Sequence, residues 1–98
     1  MYQPENPLTM QGADTALTDG LRVIESGETA FDLSSCESVD SAAVALLLAW
    51  QRAALMRGAN LTFENPPANL RSLATLYGVE DLLHFHPEDS QKSSLLRH

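Results

Sequence analysis

Apolar side chains form one continuous run at residues 42–50, and the pattern around this run predicts a strand, a helix and a second strand. The first strand is a β-prone segment at residues 29–33. The helix should cover residues 41–57, because Ser or Asp before an apolar run is the usual N-cap and Gly58 suits the left-handed position that ends a helix. The second strand, residues 60–64, alternates apolar and polar side chains. Two strands joined by a helix predict a parallel pair with a right-handed crossover.

Two further helices are predicted, one on each side of this unit. Apolar residues recur every three or four positions over residues 10–27 and again over residues 70–77, in a helix that Pro66-Pro67 should start and Gly78 should end. The first series consists of Met10, Ala13, Leu17, Leu21 and Ile24, and the second of Leu70, Leu73, Ala74 and Tyr77. Gly12 and Gly20 should each weaken the first helix by about 1 kcal/mol relative to alanine. Residues 79–85 predict a short closing strand or turn that packs Leu82 and Leu83.

Four short segments carry a family resemblance. Asp32-Leu33-Ser34 at the end of the first strand and Val39-Asp40-Ser41 at the start of the central helix resemble the signature of the STAS domain, the fold of anti-anti-sigma factors. Residues 45–50 (ALLLAW) and 69–78 (NLRSLATLYG) resemble the small, MlaB-like STAS subunit of the Mla phospholipid-transport ABC system. The resemblance covers about residues 8–83. It implies an α/β fold with a single mixed β-sheet and helices packed on one face.

The start of the chain departs from this family. STAS domains normally open with a β-hairpin, and too few residues precede Leu8 to form one. The resemblance therefore implies a shortened hairpin and an uncovered sheet edge. Such an edge invites pairing with another chain, so a homodimer through it is one expectation.

Length and composition limit the class of protein. A chain of 98 residues with 44% hydrophobic residues is expected to form a single STAS domain over residues 1–98, with flexible ends at 1–7 and 87–98. The longest apolar run is too short to span a bilayer, and no leader for export is evident. Cys36 is the only cysteine, which fits a reducing cytoplasm.

The net charge of −7 restricts the partners. A nucleic-acid footprint needs clustered Lys and Arg, whereas the only lysine here is Lys92. Direct binding to an anionic lipid surface is disfavoured for the same reason. A role in lipid transport would therefore have to run through a partner protein.

The residues that could carry chemistry do not form a catalytic pattern. Ser41 has no evident base, because the histidines (His84, His86 and His98) all lie in the last fifth of the chain. His84 and His86 with Glu88 and Asp89 could bind a metal weakly, although solvent-exposed residues near a terminus explain them better. No glycine-rich phosphate loop is present. We predict no enzyme activity towards ATP or phospholipid, no cofactor and no metal.

Ser41 has two interpretations. It could be only an N-cap, worth about 1 kcal/mol. Alternatively, this helix start is a docking or switch surface, since the equivalent serine of the resembled anti-anti-sigma factors is phosphorylated by a partner kinase. A phosphate suits a helix N-terminus, but Asp40 adds a like charge, and Ala42 and Ala43 replace the small Ser or Gly residues of phosphorylated members. Partner contact is therefore favoured over phosphorylation.

The central helix is apolar around most of its circumference. If Leu46, Leu47, Trp50 and Ala54 face the sheet, then Val44, Leu48 and Leu55 point away from it, beside Arg52. An exposed apolar row flanked by charge would be an interaction surface, unless the other helices cover it. The predicted partner-binding residues are Asp40, Ser41, Ala42, Val44, Leu48 and Arg52.

Two functions follow from the resemblance. The first is a non-catalytic regulatory or structural subunit that binds the cytoplasmic ATPase of a phospholipid ABC transporter that maintains outer-membrane lipid asymmetry. Such a protein would be cytoplasmic, or peripheral at the inner membrane through its complex. The alternative is an anti-sigma factor antagonist that an anti-sigma kinase switches by phosphorylating Ser41.

Overall fold

The computed structural model of the chain describes residues 1–4, 8–36 and 38–86, apart from the side chain of His86. Its helices and strands are α1 (Ala13–Glu25), β1 (Ala30–Asp32), α2 (Ser41–Met56), β2 (Thr62–Glu64), α3 (Ala68–Leu76) and β3 (Phe85–His86). One 3-10 turn at Met10–Gly12 leads into α1 and another at Glu80–Leu82 precedes β3. The expectations for residues 5–7 and 87–98, including the metal arrangement with Glu88 and Asp89, lie outside the described residues.

The strands form one sheet in the order β1-β2-β3. Phe31 lies opposite Phe63, which in turn lies opposite Phe85, and both strand pairs are parallel. The predicted parallel pairing across the central helix is confirmed, as is the α/β class. Among the described strands, however, the sheet is parallel throughout, without the antiparallel pair of a mixed sheet.

The core lies on the phenylalanine face of the sheet. Phe31, Phe63 and Trp50 are fully buried. The Phe31 ring packs edge-on at 5.1 Å from the Trp50 ring and 6.1 Å from that of Phe63, a geometry that aromatic pairs prefer. The alternate strand residues on the opposite face, such as Asp32 and Glu64, are only partly buried. Period-two alternation therefore places the helices on one face of the sheet.

More of helix α2 is buried than the predicted exposed row of Val44, Leu48 and Leu55 implies. Val44, predicted to point away from the sheet, is only 4% exposed, and Leu48 packs against the core. Both α1 and α3 pack against α2. Leu55, from the same predicted row, is 52% exposed. Of the row predicted to point away from the sheet, Val44 is thus covered, Leu48 is partly covered and Leu55 is exposed.

Three glycines end the helices where the sequence predicts. Gly27, Gly58 and Gly78 have φ angles of 103°, 78° and 72°, in the region that side chains rarely adopt. The apolar face of the first helix is shorter than predicted, because Met10 belongs to the 3-10 turn and is exposed. Tyr77 and Leu82, both predicted to pack, are also largely exposed, whereas Leu83 is buried.

The beginning of the chain covers part of the edge that was predicted to be open. Tyr2 forms a parallel bridge with Phe31, in which the Tyr2 N–H donates to Ala30 O at 3.1 Å and the Asp32 N–H donates to Tyr2 O at 2.7 Å. A second bridge pairs Leu8 with Val39. Single bridges, not a hairpin, therefore precede α1 in the described part of the chain, and β1 already has a neighbour.

Candidate functional site

The site is the segment that carries the chain from the end of β1 into α2. Its first anchor is Asp32, whose carboxylate accepts the Ser34 N–H at 3.0 Å and the Asn65 side-chain amide at 3.4 Å. Hydrogen bonding to Ser34 is the main reason that the pKa of Asp32 lies below its ordinary value, since donors favour the ionised form. Asp32 thus holds together the loops that follow β1 and β2.

The second anchor is Asp40, which is the N-cap of α2. Its Oδ1 accepts the Ala42 N–H at 2.8 Å, and its Oδ2 accepts the Met10 N–H at 3.2 Å. One carboxylate therefore caps the central helix and ties it to the turn before α1. The interpretation of Ser41 as the cap is wrong, because Ser41 is already the first residue of the helix.

Ser41 lies on the surface of this helix start. Its side chain is exposed and has no hydrogen-bond partner within the described part of the chain. The side chain of Ser41 is thus open to solvent at the residue after the Asp40 cap, where a partner could reach it. In the described residues we find no group of three or more His, Cys, Asp or Glu side chains placed to hold a metal ion.

Cys36, in the same loop, is closed to solvent. Its side chain is fully buried, with Sγ 3.6 Å from the Pro4 carbonyl oxygen. Burial raises the pKa of the thiol to about 11, because desolvation disfavours the thiolate. This cysteine packs the loop against the start of the chain and does not offer a nucleophile.

The other predicted partner-binding residues differ in how far they are exposed to solvent. Val44 is in the core and Ala42 is half-buried, whereas Leu48 is partly accessible and Arg52 is exposed. Sequence reasoning missed Ala45 and Met56, which are exposed on the same side of α2 as Ser41. Their spacing was the available signal, since positions 41, 45, 48, 52 and 56 follow steps of four and three residues.

A second surface feature is an open groove on α3. It is lined by Ala68, Arg71, Ser72, Thr75, Leu76 and Glu80. Arg71 makes two contacts here. One nitrogen of its guanidinium group lies 3.8 Å from the Glu80 carboxylate, and the central carbon of the same group lies 5.4 Å from the centre of the Phe85 ring. These contacts give Arg71 a structural role in fixing β3 to α3.

The family of the chain follows from a match over most of its length. A family model described as "Mlab, STAS domain" matches residues 7–84, which span the three α-helices, the site and the first two strands. The chain belongs to this STAS family. No curated protein matches the sequence. Within the described part of this STAS domain, no helix is both long and apolar enough to cross a bilayer.

Two solved structures share the fold. One is a Thermotoga maritima protein assigned as an anti-sigma factor antagonist, with a TM-score of 0.72 and 15% identity over 94% of this chain and 81% of its own. The other is the anti-sigma factor antagonist SpoIIAA in its unphosphorylated form, with a TM-score of 0.59 and 15% identity over 99% of this chain and 84% of its own. At this identity the likeness shows the STAS fold alone.

Proposed function

We propose that this STAS domain is a non-catalytic regulatory or structural subunit that binds the cytoplasmic ATPase of a phospholipid ABC transporter. The observation that carries the proposal is the family match, which covers residues 7–84 and names the MlaB-like branch. The start of α2 supports it by offering a surface, since Ser41 and Arg52 are exposed on one side of the same helix. The proposed place of the protein is the cytoplasmic side of the inner membrane, reached through the ATPase.

The electrostatics agree with a protein partner. The net charge of −7 opposes direct contact with anionic lipid, so an ATPase bound to the transporter is the better route to the membrane. The buried thiol and the fully hydrogen-bonded Asp40 carboxylate both have structural explanations. Nothing at the helix start requires a catalytic role for Ser41.

A second candidate, an anti-sigma factor antagonist switched by phosphorylation, is favoured by one observation. The Ser41 hydroxyl is exposed at a helix N-terminus, where backbone N–H groups and the helix dipole stabilise a phosphate. The neighbouring Asp40 carboxylate opposes this, because it adds a like charge. We therefore place this function second.

Substitutions at Ser41 test the docking surface. Ser41→Asp adds a carboxylate beside Asp40 and should weaken ATPase binding by a few kcal/mol, because a like-charge cluster loses water that an interface does not replace. Ser41→Ala should weaken it less. The measurement is the affinity of each purified variant for the purified ATPase subunit, with Thr18→Asp on the exposed side of α1 as a control for added charge.

Thermal melts of the same variants keep folding and binding apart. The free energy of unfolding should change by less than about 1 kcal/mol in each, since none of them removes the Asp40 cap. Equal binding of Ser41→Asp and the parent would show that this helix start is not the docking surface. Incubation with an anti-sigma kinase and ATP, followed by mass spectrometry, decides the second candidate, because a phosphate on Ser41 would support it.

A further inference from the structure

One side of α2 is exposed at most of its positions between Ser41 and Met56, with Leu48 half-buried. We define the outer stripe as the residues that face solvent on this side: Ser41, Ala45, Leu48, Arg52, Leu55 and Met56. Met56 is 81% exposed and Leu55 is 52% exposed, while Leu48 is partly buried. At 1.5 Å per residue the stripe is about 23 Å long. A helix that is apolar all round is normally buried all round, so this stripe lacks a cover.

We propose that the partner lays a helix along the outer stripe, with an apolar seam on Leu48, Leu55 and Met56 and a carboxylate opposite Arg52. This inference rests on the proposed function, because the helix is assigned to the ATPase subunit. It extends the docking surface from the helix start to the far end of α2.

The charge of Arg52 calls for a carboxylate at the opposite position of the partner helix. Arg52 is the only charged member of the outer stripe and has no hydrogen bond or ion pair within the described residues. The other arginines in the described part of the chain are engaged: Arg22 pairs with Asp19 at 3.3 Å, Arg57 donates to Glu25 O at 3.1 Å and Arg71 pairs with Glu80 at 3.8 Å. A covered guanidinium needs a carboxylate, since burial of an unpaired charge is costly.

The shape of the stripe favours a helix over a loop. Ala45 has only a methyl group to present, which gives a partner backbone room to approach between Ser41 and the longer side chain of Leu48. Residues four and three positions apart form a straight ridge, and another helix packs its own ridge beside it. Beyond Arg52, the apolar side chain of Met56 extends the surface that the partner helix can contact.

Other occupants fit less well. A second copy would present the same outer stripe, which has no carboxylate for Arg52, and would add another net charge of −7. An anionic bilayer would also be repelled by that charge. The ATPase helix is the occupant that complements the stripe.

The test is the affinity of the purified protein for the purified ATPase subunit, measured by calorimetry for variants on and off the stripe. Arg52→Glu should weaken binding at least 30-fold and Arg52→Lys less than 10-fold. Ala45→Trp, which fills the space for the partner backbone, should weaken it at least 10-fold. Arg22→Glu and Thr18→Trp make matching changes on α1 and should stay within twofold of the parent. Circular dichroism confirms that each variant is folded.

The outcomes separate this inference from the proposed function. If the parent binds the ATPase and Arg52→Glu and Ala45→Trp bind as tightly, the stripe is not the interface, although the proposed function stands. If the parent itself does not bind, both fail. A lysine substitution in the partner helix that restores binding to Arg52→Glu would identify the carboxylate. Self-association that Ala45→Trp abolishes would instead assign the stripe to a second copy.

Discussion

Gly20 lies where α1 crosses the Trp50 ring of α2. A Cβ added to Gly20 would lie 2.2 Å from Trp50 Nε1, far inside any real contact. The indole nitrogen also donates a hydrogen bond to Leu17 O at 3.3 Å, which fixes the ring against the same helix. The glycine that looked like a weak point of α1 is therefore the residue that lets the two helices meet.

Gly20→Ala tests this packing. The substitution gains about 1 kcal/mol of helix propensity, but overpacking a rigid core costs roughly 1–3 kcal/mol. A contact of 2.2 Å with a fully buried ring makes the second effect larger, so we expect net destabilisation in urea unfolding. Trp50→Phe removes the clashing atoms. The double variant should lose less stability than the sum of the two single ones, and full additivity would contradict the contact.

Cys36 gives a pH dependence that can be isolated. Because burial raises the pKa of the folded thiol to about 11 from an ordinary value of 9.0, the thiol form is favoured in the folded state. Its contribution to stability is complete below pH 9 and is lost as the pH rises towards 11. Relative to Cys36→Ala, the parent should lose a few kcal/mol of unfolding free energy over that window. Parallel curves for the two proteins would show that the thiol is not buried.

At the scale of elements, the start of α2 depends on Asp40. Asp40→Ala removes the acceptor for the N–H groups of Ala42 and Met10 and should cost about 1–2 kcal/mol of unfolding free energy. Asp40→Asn keeps one carbonyl acceptor for the cap and should cost less. Ser41→Ala serves as the comparison and should change stability by under about 0.5 kcal/mol. A larger loss at Ser41 than at Asp40 would reverse the assignment of the cap.

Local patterns predicted the type and order of these elements well. Helix spacing, the closing glycines and the alternation around Phe63 each depend on a few neighbouring residues, and the parallel pair followed from the connection. The cap was misplaced by one residue, because Asp40 and Ser41 are both good caps and only the backbone decides between them.

What the sequence did not predict depends on contacts between distant elements. Gln51 is 6% exposed, and its amide donates to Leu82 O and accepts the His84 N–H at 3.4 Å, so it fixes the segment before β3. No local pattern marks a glutamine for the core. The burial of Val44 and the pairing of Tyr2 with β1 likewise depend on elements that are distant in the sequence. Within the candidate site, the exposure of Ser41 and Arg52 agrees with the predicted surface, whereas that of Met56 was missed.

At the scale of the whole molecule, Tyr2 joins the start of the chain to the sheet. Its ring packs edge-on at 4.8 Å from that of Phe31, and its backbone makes two hydrogen bonds with β1. Pro4, which follows closely, is fully buried. These contacts both stabilise the core and occupy part of a sheet edge that would otherwise present free N–H and C=O groups.

Removal of residues 2–4 should therefore have two separable effects. The lost aromatic contact and buried proline should lower the unfolding free energy by roughly 1–3 kcal/mol, and the uncovered edge of β1 should promote self-association. Tyr2→Ala is the matched variant, because it loses the ring but keeps the backbone that covers Ala30 and Asp32. In sedimentation velocity over a range of concentrations, the deletion should associate while Tyr2→Ala stays like the parent. Equal self-association of both variants would show that lost stability, and not the open edge of β1, causes the association. The homodimer predicted through a sheet edge would then have to use a surface other than β1.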